Sequence, residues 1–285
     1  MGTIAKAIAF VIALWALHAG AASVSAPLPV FVSILPQKYF VEQVGGARVA
    51  VSVMVGPGQS PETYEPTPRQ MTALSNARLY FSIGVAFEDT WMKRILAANP
   101  AMRQVPMQRG LALLPLVGPG GEPRGTDPHV WTSPPRVKIM VASIRDALIE
   151  ADPGHRVEFE SNYRTFIAEL DALDRDIRAI LAPAKGKSFL VFHPAWGYFA
   201  KDYGLRQIPI EAEGKEPGAK SLARVIDLGK REGVKVIFVQ TQFSRRTAET
   251  VASAIGAKVV AVDPLAENYP QNLLRVAHEF ADALK

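Results

Sequence analysis

At 285 residues, with 48% hydrophobic and 21% charged side chains, the chain has room for one large domain or two ordinary ones with real cores, which excludes a disordered or fibrous protein. Its formal charge of +5 is spread without any Lys/Arg run, so composition does not indicate a nucleic-acid interface. The absence of cysteine removes disulfides, thiolate metal sites and a lipid-modified cysteine from consideration.

Lys6 is followed by eleven apolar residues, Ala7 to Leu17, and then by Ala19-Gly20-Ala21-Ala22. The run is too short to span a bilayer comfortably and precedes an Ala-x-Ala-type site. Residues 1–26 therefore read as a secretory signal peptide, cut near Ala21 or Ala22, with a short mature tail. Losing Lys6 takes the 32 basic side chains to 31 against 27 acidic ones, a mild excess. An exported chain with no cysteine for a lipid anchor is expected in the periplasm.

In chain order, Leu28–Leu35 reads as a strand, Gln37–Val44 as a helix ended by Gly45-Gly46, and Val49–Val55 as a second strand. The polar loop from Gly56 to Pro66 follows and carries Glu62 and Glu65. It runs into Thr67-Pro68, an N-cap with proline at the first helical position. Helix Pro68–Asn76, strand Arg78–Ile83 and helix Phe87–Asn99 continue the alternation. A Gly/Pro-rich connection, Gln108–Gly125, then delivers the chain to Asp127-Pro128-His129-Val130-Trp131. From Pro135 to Ala151 and again from Pro153 to Leu181 the periodicity predicts helix, with Phe159, Tyr163, Phe166, Leu170, Leu173 and Ile177 on one face.

After Pro183–Lys187 the alternation resumes with strand Ser188–Phe192, helix Trp196–Tyr203, strand Arg206–Ile210 and helix Ala219–Glu232. Strand Lys235–Val239, helix Ser244–Ile255, strand Lys258–Val262 and helix Pro270–Leu284 complete it. Short strands alternating with helices predict parallel sheets. The expected fold is α/β: two lobes, 27–150 and 184–285, each a mostly parallel sheet flanked by helices, joined by one long backbone helix over 151–183.

Of five histidines, His18 lies in the leader, and His155 and His278 sit among charged residues on helices. Only His129 and His193 are flanked by apolar residues and proline. His193 and Asp263 each end a strand just before a proline, and Glu62 and His129 hold comparable loop positions in the first lobe. The carboxyl ends of parallel strands are where an open α/β sheet presents its ligand crevice. Two imidazoles and two carboxylates suit a divalent metal. Taken singly, each has a plainer role: a histidine bonded at a helix start, a turn aspartate, a solvated loop acid.

Five ordered motifs carry a resemblance: Ser60-Pro61-Glu62-Thr63-Tyr64-Glu65-Pro66-Thr67-Pro68, Asp127-Pro128-His129-Val130-Trp131, Phe192-His193-Pro194-Ala195-Trp196, Glu213-Gly214-Lys215-Glu216-Pro217 and Val262-Asp263-Pro264-Leu265. Together they resemble the metal-binding solute-binding proteins of zinc/manganese ABC importers. The resemblance implies a site between two lobes joined by a rigid helix and delivery of the ion to a membrane permease. Because a rigid helix resists wide hinge opening, small lobe rocking is expected, in a monomer that binds one divalent ion. The resemblance places metal ligands on His129, His193, Asp263 and Glu62, the last where the family usually has histidine. That exchange makes the set harder, which weakens its preference for zinc and makes manganese and iron(II) more acceptable; zinc remains the favoured ion. Glu62, Glu65 or water can fill this first position. Trp131 and Trp196 are expected to pack around the site, and Arg69, Glu213 and Glu216 to bond across the lobe interface. The His-rich insertion of many zinc members is absent from Gln108–Gly125. An exported zinc metallohydrolase is the competing class, although no His-Glu-x-x-His spacing occurs. An adhesin with a vestigial site on the same scaffold is a third.

Overall fold

Val30 to Ile34 are buried without a break, the pattern of a parallel strand covered on both faces. The computed structural model describes residues 26–119, 121–211 and 216–284; the segment read as a signal peptide and Glu213 lie outside them. The buried run belongs to β1 (Leu28–Ile34), followed by α1 (Leu35–Gly45), β2 (Val49–Val55), α2 (Pro68–Ala73), β3 (Leu79–Ser82), α3 (Ala86–Ala98) and β4 (Arg103–Pro106). The four strands form a parallel sheet in the order β2-β1-β3-β4. Thr67 caps α2 as expected, its Oγ1 accepting from Gln70 N at 3.3 Å.

Two features were not foreseen. β4 is a four-residue edge strand ending in proline, too short for a periodic signal. The connection read as Gly/Pro-rich loop contains an antiparallel hairpin of β5 (Pro115–Val117) and β6 (Pro123–Thr126). Strands of three and four residues containing Pro and Gly show no alternation by which to find them.

The chain then enters α4 (Pro134–Ala151) and α5 (Arg156–Leu181). The long helix has 26 residues, about 39 Å at 1.5 Å per residue. It starts later than the sequence suggests because Pro153–His155 forms a separate 3₁₀ turn. Phe159, Phe166, Leu170, Leu173, Ile177 and Leu181 are its buried stripe. Tyr163 stays half-buried, with the Arg145 guanidinium 4.4 Å above its ring.

The second lobe runs β7 (Ser188–Val191), α6 (Gly197–Tyr203), β8 (Arg206–Pro209), α7 (Ala219–Arg231), β9 (Val236–Gln240), α8 (Arg245–Ile255), β10 (Lys258–Val262) and α9 (Tyr269–Ala283). Its parallel sheet has the order β10-β9-β7-β8. β7 connects to β8 on one side while its neighbour β9 connects to β10 on the other, so the connections leaving these two carboxyl ends diverge and open a crevice.

The lobes share one apolar core. It includes Phe40 of α1, Phe166 of α5 and Tyr269 of α9, with the Phe40 and Tyr269 rings 4.8 Å apart. Polar ties reinforce it: Trp131 Nε1 donates to Pro264 O at 2.8 Å, and Arg136 reaches both Asp202 oxygens at 2.9 and 3.0 Å.

Candidate metal centre

Three side chains from separate parts of the sequence meet where the lobes face each other. Glu62 lies in the loop between β2 and α2, His129 opens the 3₁₀ turn Val130–Thr132, and His193 stands two residues beyond β7. One donor atom from each falls within 4.8 Å of the other two. His129 Nε2 is 3.1 Å from His193 Nε2, which is 3.2 Å from Glu62 Oε1. Both imidazoles are buried, and the Glu62 side chain is 15% exposed.

Each histidine is held from behind by a carboxylate. Asp127 Oδ1 accepts from His129 Nδ1 at 2.7 Å and from its backbone N at 2.9 Å. That leaves the Nε2 lone pair of His129 facing the cluster. Asp127 rests against α6 where only glycine fits: a Cβ on Gly197 would lie 2.7 Å from Asp127 Oδ2. Glu211, just past β8 and fully buried, places Oε1 2.5 Å from His193 Nδ1. Gln240, the last residue of β9, fixes the His193 backbone: its Oε1 accepts from His193 N at 3.2 Å and its Nε2 donates to His193 O. Ser60 Oγ donates to Glu62 Oε2.

His193 ties the cluster together through its contacts with Glu62, Glu211 and His129. Burial pushes the His193 imidazole down, but its bonds and charge interactions with Glu211 and Glu62 outweigh this and raise its pKa to about 10. Burial pushes Glu62 up, and the His193 bond and charge, with the Ser60 bond, bring it down to about 2. At neutral pH His193 is therefore an imidazolium, held against the Glu62 and Glu211 side chains.

The spacing suits a small cation. Donors at 2.0–2.1 Å from a tetrahedral zinc stand roughly 3.3 Å from one another, close to the 3.1 and 3.2 Å edges seen here. Two imidazoles backed by carboxylates, plus one direct carboxylate, form a donor set for a borderline divalent metal.

The family model described as "Zinc-uptake complex component A periplasmic" matches residues 30–284. The chain belongs to the ZnuA family. It is 31% identical over 258 residues to the high-affinity zinc uptake system protein ZnuA of Bacillus subtilis, covering 84% of this chain and 78% of that protein. Among solved structures, a ZnuA deletion variant with zinc bound is 43% identical, covers 91% of this chain and 98% of that one, and gives a TM-score of 0.85. FpvC of Pseudomonas aeruginosa in complex with Mn²⁺, at 23% identity and a TM-score of 0.81 with 90% and 98% covered, shares the fold.

In this ZnuA-family chain, three of the four expected ligands come together and Asp263 does not join them. Asp263 sits just past β10, its Oδ1 accepting from Gln242 Nε2 at 3.1 Å and from Leu265 N at 2.9 Å. Glu65 and Arg69 are exposed and stand outside the cluster. The Trp131 ring lies 5.1 Å from that of His129 and helps to wall the site. Trp196 packs instead in the aromatic core against Phe199 and Phe280, and Glu216 bonds to Thr247 within the second lobe. Sequence reasoning missed Glu211, Gln240 and Ser60 as supports. Gln240 and Glu211 close or follow the strands flanking β7, a position that could have marked them.

Proposed function

We propose that the protein captures one divalent transition metal ion between its lobes and hands it unchanged to the permease of an ABC importer. Zinc is the favoured cargo, with manganese and iron(II) admitted by the carboxylate at position 62. The observation that carries this reading is the convergence of Glu62, His129 and His193 at ion-sized spacing. We assign these three as the protein's ligands. The fourth expected ligand, Asp263, stands outside this cluster, with Oδ1 accepting from Gln242 and Leu265. Capture without turnover fits membership in an uptake-complex family.

The protein acts in the periplasm after loss of its leader, as a monomer whose lobe surfaces beside the cleft meet the permease. The shared core and the Trp131–Pro264 bond support small rocking over wide opening, since separating the lobes would expose apolar surface.

Metal analysis combined with melting curves in zinc, manganese and iron(II) tests the reading. One ion per chain and a raised melting temperature are expected, with roughly 2.7 kcal/mol gained at a hundredfold excess over Kd. No shift with any ion well above micromolar concentration would overturn it. Asp263→Asn should change zinc affinity less than tenfold; a collapse like that of His193→Ala would make Asp263 a ligand.

A further inference from the structure

The three donors border two cavities of very different size. On one side, Trp131, Gln240, Phe243, Pro264 and Leu265 close a space of about 20 Å³, room for about one water. On the other, Glu62, His129 and His193 open directly into a cavity of about 560 Å³ under the β5–β6 hairpin, walled by Ala86, Asp89, Gln108, Leu116, Arg124 and Thr126 among others. A shell of six waters takes about 180 Å³ at roughly 30 Å³ each. The larger cavity is thus far bigger than a hydrated ion needs and lies within the range of small-molecule sites, roughly 300–1,000 Å³.

One turn of its wall is held in place by buried hydrogen bonds. Glu88, buried behind it, accepts from Ile83 N at 2.9 Å and Gly84 N at 2.8 Å, fixing the turn before α3. Gly84 has φ +83°, and a Cβ there would lie 2.7 Å from Gln108 Oε1. The turn therefore admits no larger residue without strain.

Building on the metal-capture reading, we infer that this cavity seats a small exogenous chelator of the amino-acid class, which completes the coordination of an ion held by Glu62, His129 and His193. Three protein donors leave a zinc ion an open position, and the large cavity is the side with room for an incoming group. The charges select the chelator. Glu62, Asp127, Glu211 and Asp89 surround the position with carboxylates, while Arg124 on the wall is paired with Glu122 at 2.9 Å. A polycarboxylate meets like charge there. An amino acid brings only one carboxylate together with nitrogen donors for the ion, so it meets less of that repulsion.

Equilibrium dialysis of the mature protein against radiolabelled L-histidine, with and without equimolar zinc, tests the inference. About one histidine per chain is expected with zinc and none without it. Ala86→Trp and Thr126→Trp, at exposed positions lining the cavity, should keep zinc but lower histidine retention at least tenfold. Zinc bound with no histidine retained overturns the chelator inference and leaves the metal reading standing. Neither zinc nor histidine bound overturns both. Equal retention by both tryptophan variants overturns the seat in this cavity.

Discussion

Nε2 of His129 and Nε2 of His193 stand 3.1 Å apart, although 64 positions separate the residues and each comes from a different lobe. Asp127 turns one ring and Glu211 the other, so both present the same nitrogen to the same point. The protein fixes the direction of its ligands before an ion arrives, which limits the ordering cost of capture.

Replacing the carboxylate at position 62 should retune metal preference. Glu62→His is expected to raise zinc affinity at least tenfold and to widen the preference for zinc over manganese, because imidazole is the softer donor. Glu62→Ala should lower zinc affinity about 10–100-fold. Competition with a chromophoric chelator measures both, and parental affinity in both variants would remove Glu62 from the ligand set.

Capture should release a proton. The ion needs the Nε2 lone pair of His193, whose pKa is raised from 6.5 to about 10. Zinc affinity should therefore climb about tenfold per pH unit between 6.5 and 10. Calorimetry at pH 7.5 in buffers of different ionisation enthalpy should report about one proton released per ion. The metal-free protein behaves oppositely: the His193 contribution to stability is fully present below pH 6.5 and is lost as pH rises through about 10. Glu62, lowered to about 2, contributes above its ordinary 4.5 and loses that contribution as pH falls through about 2. Melting temperature without metal should accordingly decline from pH 7 to pH 10.

Glu211→Gln keeps the shape behind His193 but removes its charge. Loss of such a support costs about 10–100-fold in metal affinity, and the same range is expected here for zinc. The variant should also release fewer protons on binding, a readout that mere loosening of the loop would not move.

Stability away from the site rests on the aromatic core of the second lobe. Phe280 is fully buried and stacks on Phe238 with centroids 3.8 Å apart, and the Phe189 ring lies 4.7 Å away. Phe280→Ala should cost about 3–5 kcal/mol in denaturant unfolding. With the cluster intact, zinc affinity of the folded fraction should stay within about threefold of the parent.

Much of this architecture is local enough to read from the chain. Thr67-Pro68 caps its helix through bonds that span three residues, and Phe159 to Ile177 mark the inner face of α5 by helical spacing alone. The same holds for His193, whose place after a buried strand and before proline put it at a sheet's carboxyl edge. The β5–β6 hairpin escaped because its strands are too short to alternate. Glu211 follows a strand, a position that marks it as a site candidate, but its meeting with an imidazole 18 residues earlier depends on which strand lies beside β7, and that order is not written locally.

The sequence by itself determined the parallel α/β lobes, the long helix and the candidate ligands, because periodicity and the residues that end strands are short-range properties. Only the tertiary structure decided which candidates meet. It turned Asp263 toward Gln242, left Glu65 in solvent, and drew Glu62 to His193 across the cleft. A donor cluster is set by angstrom distances between segments far apart in the chain. Those distances follow from how two sheets pack around a shared core, which no local pattern records.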